Sequence, residues 1–218
     1  MSTLNRDVFI NCPFDSGYLT CFEAIVFTIY VSGYEPVCAL QDDHFGDVRL
    51  TKLKAMIESC DRTIHDLSRT ESNSKGLPRF NMPFELGMAI GATQYGGVRQ
   101  RRKRVMVMVK KRYVMAQFLS DAAGQDPVAH DGKPANVIRL VRNHLGHYHR
   151  GKRSKKERLP GPQHFNTLFK EFKTKLPQLA VEANLTLDEI NSFKGGYLDF
   201  LEMLRRFTEA IRKSGNLA

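Results

Sequence analysis

The amino-acid sequence predicts a doubly wound α/β fold, a parallel sheet with helices on both faces, followed by a helical C-terminal extension. Short β-branched and apolar runs alternate with stretches of helical periodicity through the first half of the chain. This alternation indicates a parallel sheet, because parallel neighbours need a crossover connection that is usually a helix. We therefore expect an α/β core over residues 7–130 and a helical extension with a basic linker over residues 131–218.

The elements of the core are assigned from apolar spacing and from the residues that interrupt it. Strands are expected at 7–11, 36–40, 63–67 and 105–109, and helices between them at 18–32, 47–59 and 82–94. Gly33 stands where a glycine commonly ends a helix. A weaker apolar segment at 115–119 predicts a short fifth strand. Right-handed crossovers leave few topologies, of which we expect the flavodoxin-like one.

The extension is predicted to contain helices at 134–149, 163–176 and 197–213. Thr186 begins a capping-box-like sequence with Glu189 three residues later. The last helix carries an apolar stripe, formed by Leu198, Leu201, Leu204, Phe207 and Ile211. This stripe either covers the protein's own sheet or packs against a second copy, so a homo-oligomer is one expectation.

Composition excludes several classes of protein. Hydrophobic residues make up 42% of the 218 residues and charged residues 26%, a balance typical of a globular domain. No apolar run approaches the roughly 20 residues of a membrane helix, and the N-terminus lacks a signal-peptide pattern, which predicts a cytoplasmic location without a membrane partner. The four cysteines form no CxxC pair and are expected in the core. The histidines at 144, 147 and 149 lie on different helix faces, so no metal is expected.

The net charge of +10 is concentrated in two basic runs. The runs are Arg99, Arg101, Arg102, Lys103 and Arg104, and then Arg150, Lys152, Arg153, Lys155, Lys156 and Arg158. Such runs attract nucleic acid, a ribonucleoprotein or an acidic partner, although a solvated loop explains them equally well. The first run precedes a strand, so it is expected to face away from a ligand bound at the carboxyl ends of the strands.

Two carboxylates fall where an α/β sheet binds ligands. Asp66 ends a strand, and Glu85 is expected in the first turn of the next helix, near Pro83. A carboxylate beside the apolar wall of Phe80 and Phe84 can form an ester with a sugar C1 or stabilise an oxocarbenium-like cation. The structural alternatives are a helix-start acid for Glu85 and a turn or cap for Asp66.

Neighbouring residues carry further expectations. Arg49 could meet a phosphate at the mouth of the site, although a solvated surface charge is the commoner role. His65 follows an apolar run and is expected to be a core histidine rather than an acid or base. Gly87 and Gly91 are expected to let their helix approach the sheet closely.

Three stretches resemble the TIR-like and nucleoside 2-deoxyribosyltransferase-like proteins of bacteria, several of which are toxic effectors in anti-phage defence. They are DVFINCPFD at 7–15, IHDLS at 64–68 and FNMPFELG at 80–87. The resemblance implies that Glu85 is the catalytic residue, with Asp66 acting beside it as a ribose contact. The substrate-binding residues that it implies are Asn11, Pro13, Phe14 and Asn81.

The chemistry shared by both groups of relatives is cleavage of a C1′–N bond. The expected function is therefore a nucleotide N-glycosidase, with NAD as the favoured substrate and no cofactor, acting as a toxic effector. A TIR-like module that senses a nucleotide or assembles with partners without turnover is the alternative. A nucleic-acid-associated toxin, held inactive by a partner on the basic runs, is compatible with either.

Overall fold

Five parallel strands form one sheet in the order β2-β1-β3-β4-β5. They are β1 (Asp7–Asn11), β2 (Glu35–Cys38), β3 (Arg62–Asp66), β4 (Arg104–Val109) and β5 (Val128–Ala129). This computed structural model describes residues 5–41, 49–69, 80–113, 115, 119, 126–146, 159–193 and 195–213. The strand order is that of a flavodoxin-like fold, which confirms the predicted class.

Eight helices accompany the sheet in the described part of the chain. They are α1 (Leu19–Val31), α2 (Arg49–Ser59), α3 (Asn81–Tyr95), α4 (Val98–Arg101), α5 (Pro134–Gly146), α6 (Pro162–Glu182), α7 (Leu187–Ile190) and α8 (Gly196–Lys213). Gly33 follows α1 with a φ of +80°, which a side chain rarely adopts. Thr186 and Glu189 form the expected capping box at the start of α7.

The fifth strand was predicted at the wrong place. It lies at Val128–Ala129, where Val128 pairs with Met108 of β4. Leu119 instead donates its N–H to the carbonyl of Met115 at 2.8 Å, the hydrogen bond of a helical turn. A largely apolar segment of only five residues does not distinguish strand from helix, because periodicity needs a longer window.

Alternate residues of the strands serve two different layers of helices. Val8 and Ile10 face a large apolar cluster that includes residues of α1, α5, α6 and α8. Phe9, between them, packs with residues of α2 and α3 on the opposite side. The sheet is therefore covered on both faces, which explains why β1, β3 and β4 are buried along most of their length.

Residues on both sides of the predicted boundary at 130 contribute to the same cluster. Phe172 of α6 stacks on Phe27 of α1 with ring centroids 5.8 Å apart, and it also contacts Phe207 of α8. Leu204, Phe207 and Ile211 are buried in this way within the chain itself. Apart from the exposed Leu198, the apolar stripe of α8 thus covers the protein's own core, and it gives no support to the expected homo-oligomer.

Within the described ranges, no helix combines the length and the apolar character needed to cross a membrane.

Candidate functional site

A cavity of about 490 Å³ opens at the carboxyl end of β1. Its walls come from the residues after β1, from the start of α2 and from the first two turns of α3. The lining includes five of the six predicted site residues and one cation: Asn11, Pro13, Phe14, Asn81, Glu85 and Arg49. Ligands of doubly wound folds bind at this edge of the sheet, so the cavity has both the size and the position of a small-molecule site.

Glu85 is the acidic residue of this lining. It is the fifth residue of α3 and so lies in the second turn, not in the first turn as the sequence suggested. Its side chain is 6% exposed, and its carboxyl group makes no hydrogen bond or ion pair with the described residues. Favourable interaction with a helix N-terminus fades beyond the first turn, so a helix-start role does not account for this carboxyl group.

The environment of Glu85 favours its neutral form. Burial raises the pKa of Glu85 from its ordinary value of 4.5 to about 7, although the positive charge of Arg49 opposes the increase. Both protonation states are therefore populated near neutral pH. Such a group can donate a proton, and once ionised it can also attack an electrophilic carbon.

This pKa predicts a pH dependence of stability. The folded protein holds the Glu85 proton more tightly than the unfolded chain, so the contribution of Glu85 is most favourable below pH 4.5 and is lost as pH rises to about 7. The loss corresponds to about 3 kcal/mol. We expect Glu85→Gln to unfold at higher urea concentration than the wild type at pH 8 but not at pH 4.5. The exposed Glu58 of α2 provides the control, since Glu58→Gln should change neither value; equal pH slopes for all three proteins would contradict the prediction.

Asn11 forms a second polar group of the cavity, at the end of β1. Its side-chain nitrogen donates to the carbonyl oxygen of Met82 at 2.9 Å and lies 3.0 Å from Nδ1 of His65. His65 is fully buried, as expected of a core histidine, and burial together with Lys103 lowers its pKa to about 3. The sequence indicated that His65 belongs to the core but gave no sign that it holds a cavity residue in place.

Asp66 does not join Glu85 in the cavity lining. It is fully buried at the end of β3, where its carboxylate accepts hydrogen bonds from the Tyr18 hydroxyl and from the backbone N–H of Ser68 at 2.9 Å, and lies 3.0 Å from Nε2 of His130. Groups from three parts of the chain thus contact both oxygens of the carboxylate. The structure thus places the predicted ribose contact in a closed network, separate from the lining residues.

The sequence did not single out Tyr18 or His130. Tyr18 immediately precedes α1, and His130 immediately follows β5. The rule that polar groups gather at the carboxyl ends of parallel strands could have located His130 if β5 had been placed correctly. Tyr18 gave no comparable signal, because its apolar ring fits the helical pattern equally well.

Ser68, His130 and Asp66 are not arranged as a hydrolytic triad. Ser68 Oγ lies 2.8 Å from Nε2 of His130, the same nitrogen that Asp66 contacts, while Nδ1 accepts from the N–H of Gly132 at 3.0 Å. In a triad the nucleophile and the carboxylate bind opposite nitrogens of the imidazole. This network therefore offers no free base to activate Ser68.

The cysteines behave as core residues, as predicted. All four are free and buried, and Cys12 also lines the cavity. Burial raises the pKa of the Cys12 thiol well above its ordinary value, with a further contribution from the charge of Asp66. The thiol therefore stays protonated and is a poor nucleophile at neutral pH.

Arg49 lies at the edge of the cavity, and the two glycines of α3 do not have the role expected of them. Arg49 is exposed yet contributes to the lining, at the first residue of α2. A Cβ atom added at Gly87 or Gly91 would meet nothing within 4 Å. The prediction that these glycines permit a close approach of α3 to the sheet was therefore wrong, because both face open space.

Comparison with known proteins gives no match, whether the chain is compared with protein-family models, with curated proteins or with solved structures.

Proposed function

We propose that the protein is a cytoplasmic nucleotide N-glycosidase of the NAD-hydrolase type, with Glu85 as its catalytic residue. The observation that carries the proposal is a buried carboxyl group that has no partner among the described residues and lines a nucleotide-sized cavity at the ligand-binding edge of the sheet. Its pKa of about 7 leaves a substantial ionised fraction at neutral pH. Perturbed carboxylates in a cleft are frequent markers of catalytic sites.

The cavity supplies the groups that this reaction needs. The ionised Glu85 attacks C1′ of the ribosyl group, or stabilises its cationic transition state, while the C1′–N bond breaks and its electron pair leaves with the base. Water then attacks C1′, any C1′–O bond to Glu85 breaks with its electron pair returning to the carboxylate, and the proton lost by water passes to the solvent as the ribosyl product leaves. Arg49, close enough to lower the pKa of Glu85, is suited to bind a phosphate, and the rings of Phe14 and Phe80 offer apolar surface to the base.

The test is base release from NAD and from a panel of nucleoside monophosphates. Purified protein is incubated with each compound at pH 8, and the products are separated by chromatography, with Glu58→Gln as a variant expected to retain full activity. Release of nicotinamide or of a nucleobase supports the proposal. Binding of a nucleotide without release, under all conditions, would favour the alternative of a nucleotide-sensing module without turnover.

An effector role follows from the same proposal. Hydrolysis of NAD in a bacterial host would deplete the cofactor and arrest growth, which is the action of a toxin used against phage infection. Induced expression of the wild-type chain should lower cellular NAD, whereas expression of Glu85→Gln at the same level should not. Growth arrest by both proteins would argue against toxicity through the cavity.

The basic run before β4 is a separate surface. Its arginines at 101, 102 and 104 are exposed at the amino end of the strand, on the opposite edge of the sheet from the cavity. Lys103 differs, because its buried ammonium group donates to the carbonyl oxygens of Ile57 in the last turn of α2 and of Cys60 just after it. Lys103 was therefore wrongly grouped with the polyanion-binding residues. The second run, at 150–158, lies outside the described residues.

We propose that this arginine surface binds nucleic acid or a ribonucleoprotein partner. Replacing Arg101, Arg102 and Arg104 together by Gln should weaken binding to single-stranded RNA. The slope of a plot of log K against log salt concentration should become less steep by about 2, because each lost phosphate contact removes about 0.7 from that slope. Fluorescence anisotropy at several salt concentrations measures both. Base release should stay unchanged; its loss with RNA binding intact would mean that the surface serves the substrate.

A further inference from the structure

The amide of Asn11 has one orientation. The carbonyl oxygen of Met82 can only accept a hydrogen bond, so the atom 2.9 Å away from it must be the amide nitrogen of Asn11. Its second hydrogen is directed to His65 Nδ1 at 3.0 Å. Both donor hydrogens of Asn11 are thus used inside the protein, and the side-chain oxygen Oδ1 is the group that remains for a ligand.

His65 maintains this orientation. The ring is fully buried against Phe9, and its low pKa keeps it neutral at every physiological pH. Because Nδ1 accepts from Asn11, the single ring proton resides on Nε2, which has no partner among the described residues. A neutral histidine whose Nδ1 accepts a hydrogen bond therefore fixes the orientation of the Asn11 amide. No change of pH in the physiological range reverses this orientation.

At this position the cavity therefore presents an acceptor. Asn11 lines the cavity although it is only 3% exposed, and both of its hydrogen bonds to described residues are made by the amide nitrogen, not by Oδ1. Asn11 is tied through the Met82 carbonyl to the helical turn that carries Glu85, three residues further along α3. A ligand that fits must offer a hydrogen-bond donor close to the point where Glu85 acts.

We infer that Asn11 makes the cavity selective for ribosyl over 2′-deoxyribosyl ligands, by accepting a hydrogen bond from the 2′-hydroxyl through Oδ1. The assignment rests on the proposed function in one respect, namely that C1′ lies against Glu85. C2′ is bonded to C1′, so its hydroxyl is the sugar hydroxyl closest to the catalytic carboxylate. A 2′-deoxy ligand would bury Oδ1 without a partner, which costs more than an unmade bond in water.

The test compares AMP, 2′-deoxyAMP and 3′-deoxyAMP by titration calorimetry, using full-length Glu85→Gln so that turnover does not consume the ligand. We expect 2′-deoxyAMP to bind at least about 10-fold more weakly than AMP, with a smaller loss for 3′-deoxyAMP. Asn11→Leu in this background should bind AMP and 2′-deoxyAMP equally. Asn11→Ser, whose side chain is too short to reach the same position, provides the same comparison if the leucine variant does not fold.

His65 is tested as a positioning residue with the same ligands. His65→Leu removes the acceptor and should lower the AMP to 2′-deoxyAMP affinity ratio, whereas His65→Gln, which offers a carbonyl oxygen, should restore part of it. A merely structural role would lower the melting temperature without moving this ratio. Equal binding of AMP and 2′-deoxyAMP by the parent protein, an unchanged ratio in both Asn11 variants, or no binding of any of the three would overturn the inference. Base release by the wild type tests the proposed function separately.

Discussion

Glu85→Gln is expected to lower nicotinamide release from NAD by at least about 10³-fold, as loss of a catalytic nucleophile typically does. The amide keeps the shape of the side chain but cannot form an ester with C1′ or carry negative charge opposite a ribosyl cation. Its fold should survive, because the carboxyl group has no partner among the described residues. The measurement is kcat from product chromatography, with circular dichroism to verify folding.

The pH profile separates a nucleophile from a general acid. If ionised Glu85 is the reactive form, kcat should rise with pH and level off above about 7, following the pKa raised by burial. A rate that falls over the same range would assign Glu85 as the proton donor. The exposed Glu58 gives the matched control, and Glu58→Gln should reproduce the wild-type profile. Full activity in Glu85→Gln would remove Glu85 from the mechanism.

Much of the fold could be predicted because each element carries a local signal. The buried strand Asp7–Asn11 contains a run of three apolar residues, and the capping box at Thr186 marks its helix by sequence alone. The two-residue strand β5 carries no such signal, since Val128 and Ala129 owe their conformation to pairing with β4. Its position depends on tertiary contacts that a short window does not contain.

The candidate site shows the same contrast between local sequence signals and contacts that are distant in the sequence. Asn11, Asn81 and Glu85 stand in short motifs at the ends of predicted elements, and the fold brings them to one cavity. The partners that decide what each group does lie far away in the sequence. His65 is 54 residues from Asn11, and Lys103, one of a basic run, is 43 residues from the Cys60 carbonyl that accepts its hydrogen bond. The sequence shows a positive charge at position 103, but it does not show that this ammonium group forms hydrogen bonds within the protein.

Asp66 illustrates the limit most clearly. The strand-end rule located it correctly, and the same rule suggested contact with a ligand. The side chains that contact the carboxylate are those of Tyr18 and His130. Each is separated from Asp66 along the chain by two crossover connections. Sequence patterns locate such a carboxylate at the right edge of the sheet, whereas only the folded chain shows whether it faces a cavity or a closed network.

Asp66→Asn is expected to lower the free energy of unfolding by about 2–4 kcal/mol, because the amide replaces an acceptor oxygen by a donor inside a buried network. The Tyr18 hydroxyl donates to one carboxylate oxygen and the Ser68 N–H donates to the other, so the new NH₂ group must face at least one donor. Urea titration at pH 7 measures the loss. Tyr18→Phe, which removes one donor, should cost about 1 kcal/mol.

Asp61→Asn is the matched control for this prediction. Asp61 pairs with Arg99 at 3.0 Å on the surface, where an ion pair contributes at most about 1 kcal/mol. The same set distinguishes the two roles considered for Asp66. A structural role predicts that Asp66→Asn, assayed below its melting temperature, keeps the KM for NAD while its stability falls. If Asp66 instead contacts the ribose, Asp66→Asn should have the stability of the wild type and a raised KM for NAD, because the substitution would remove a contact with the sugar and not one within the protein.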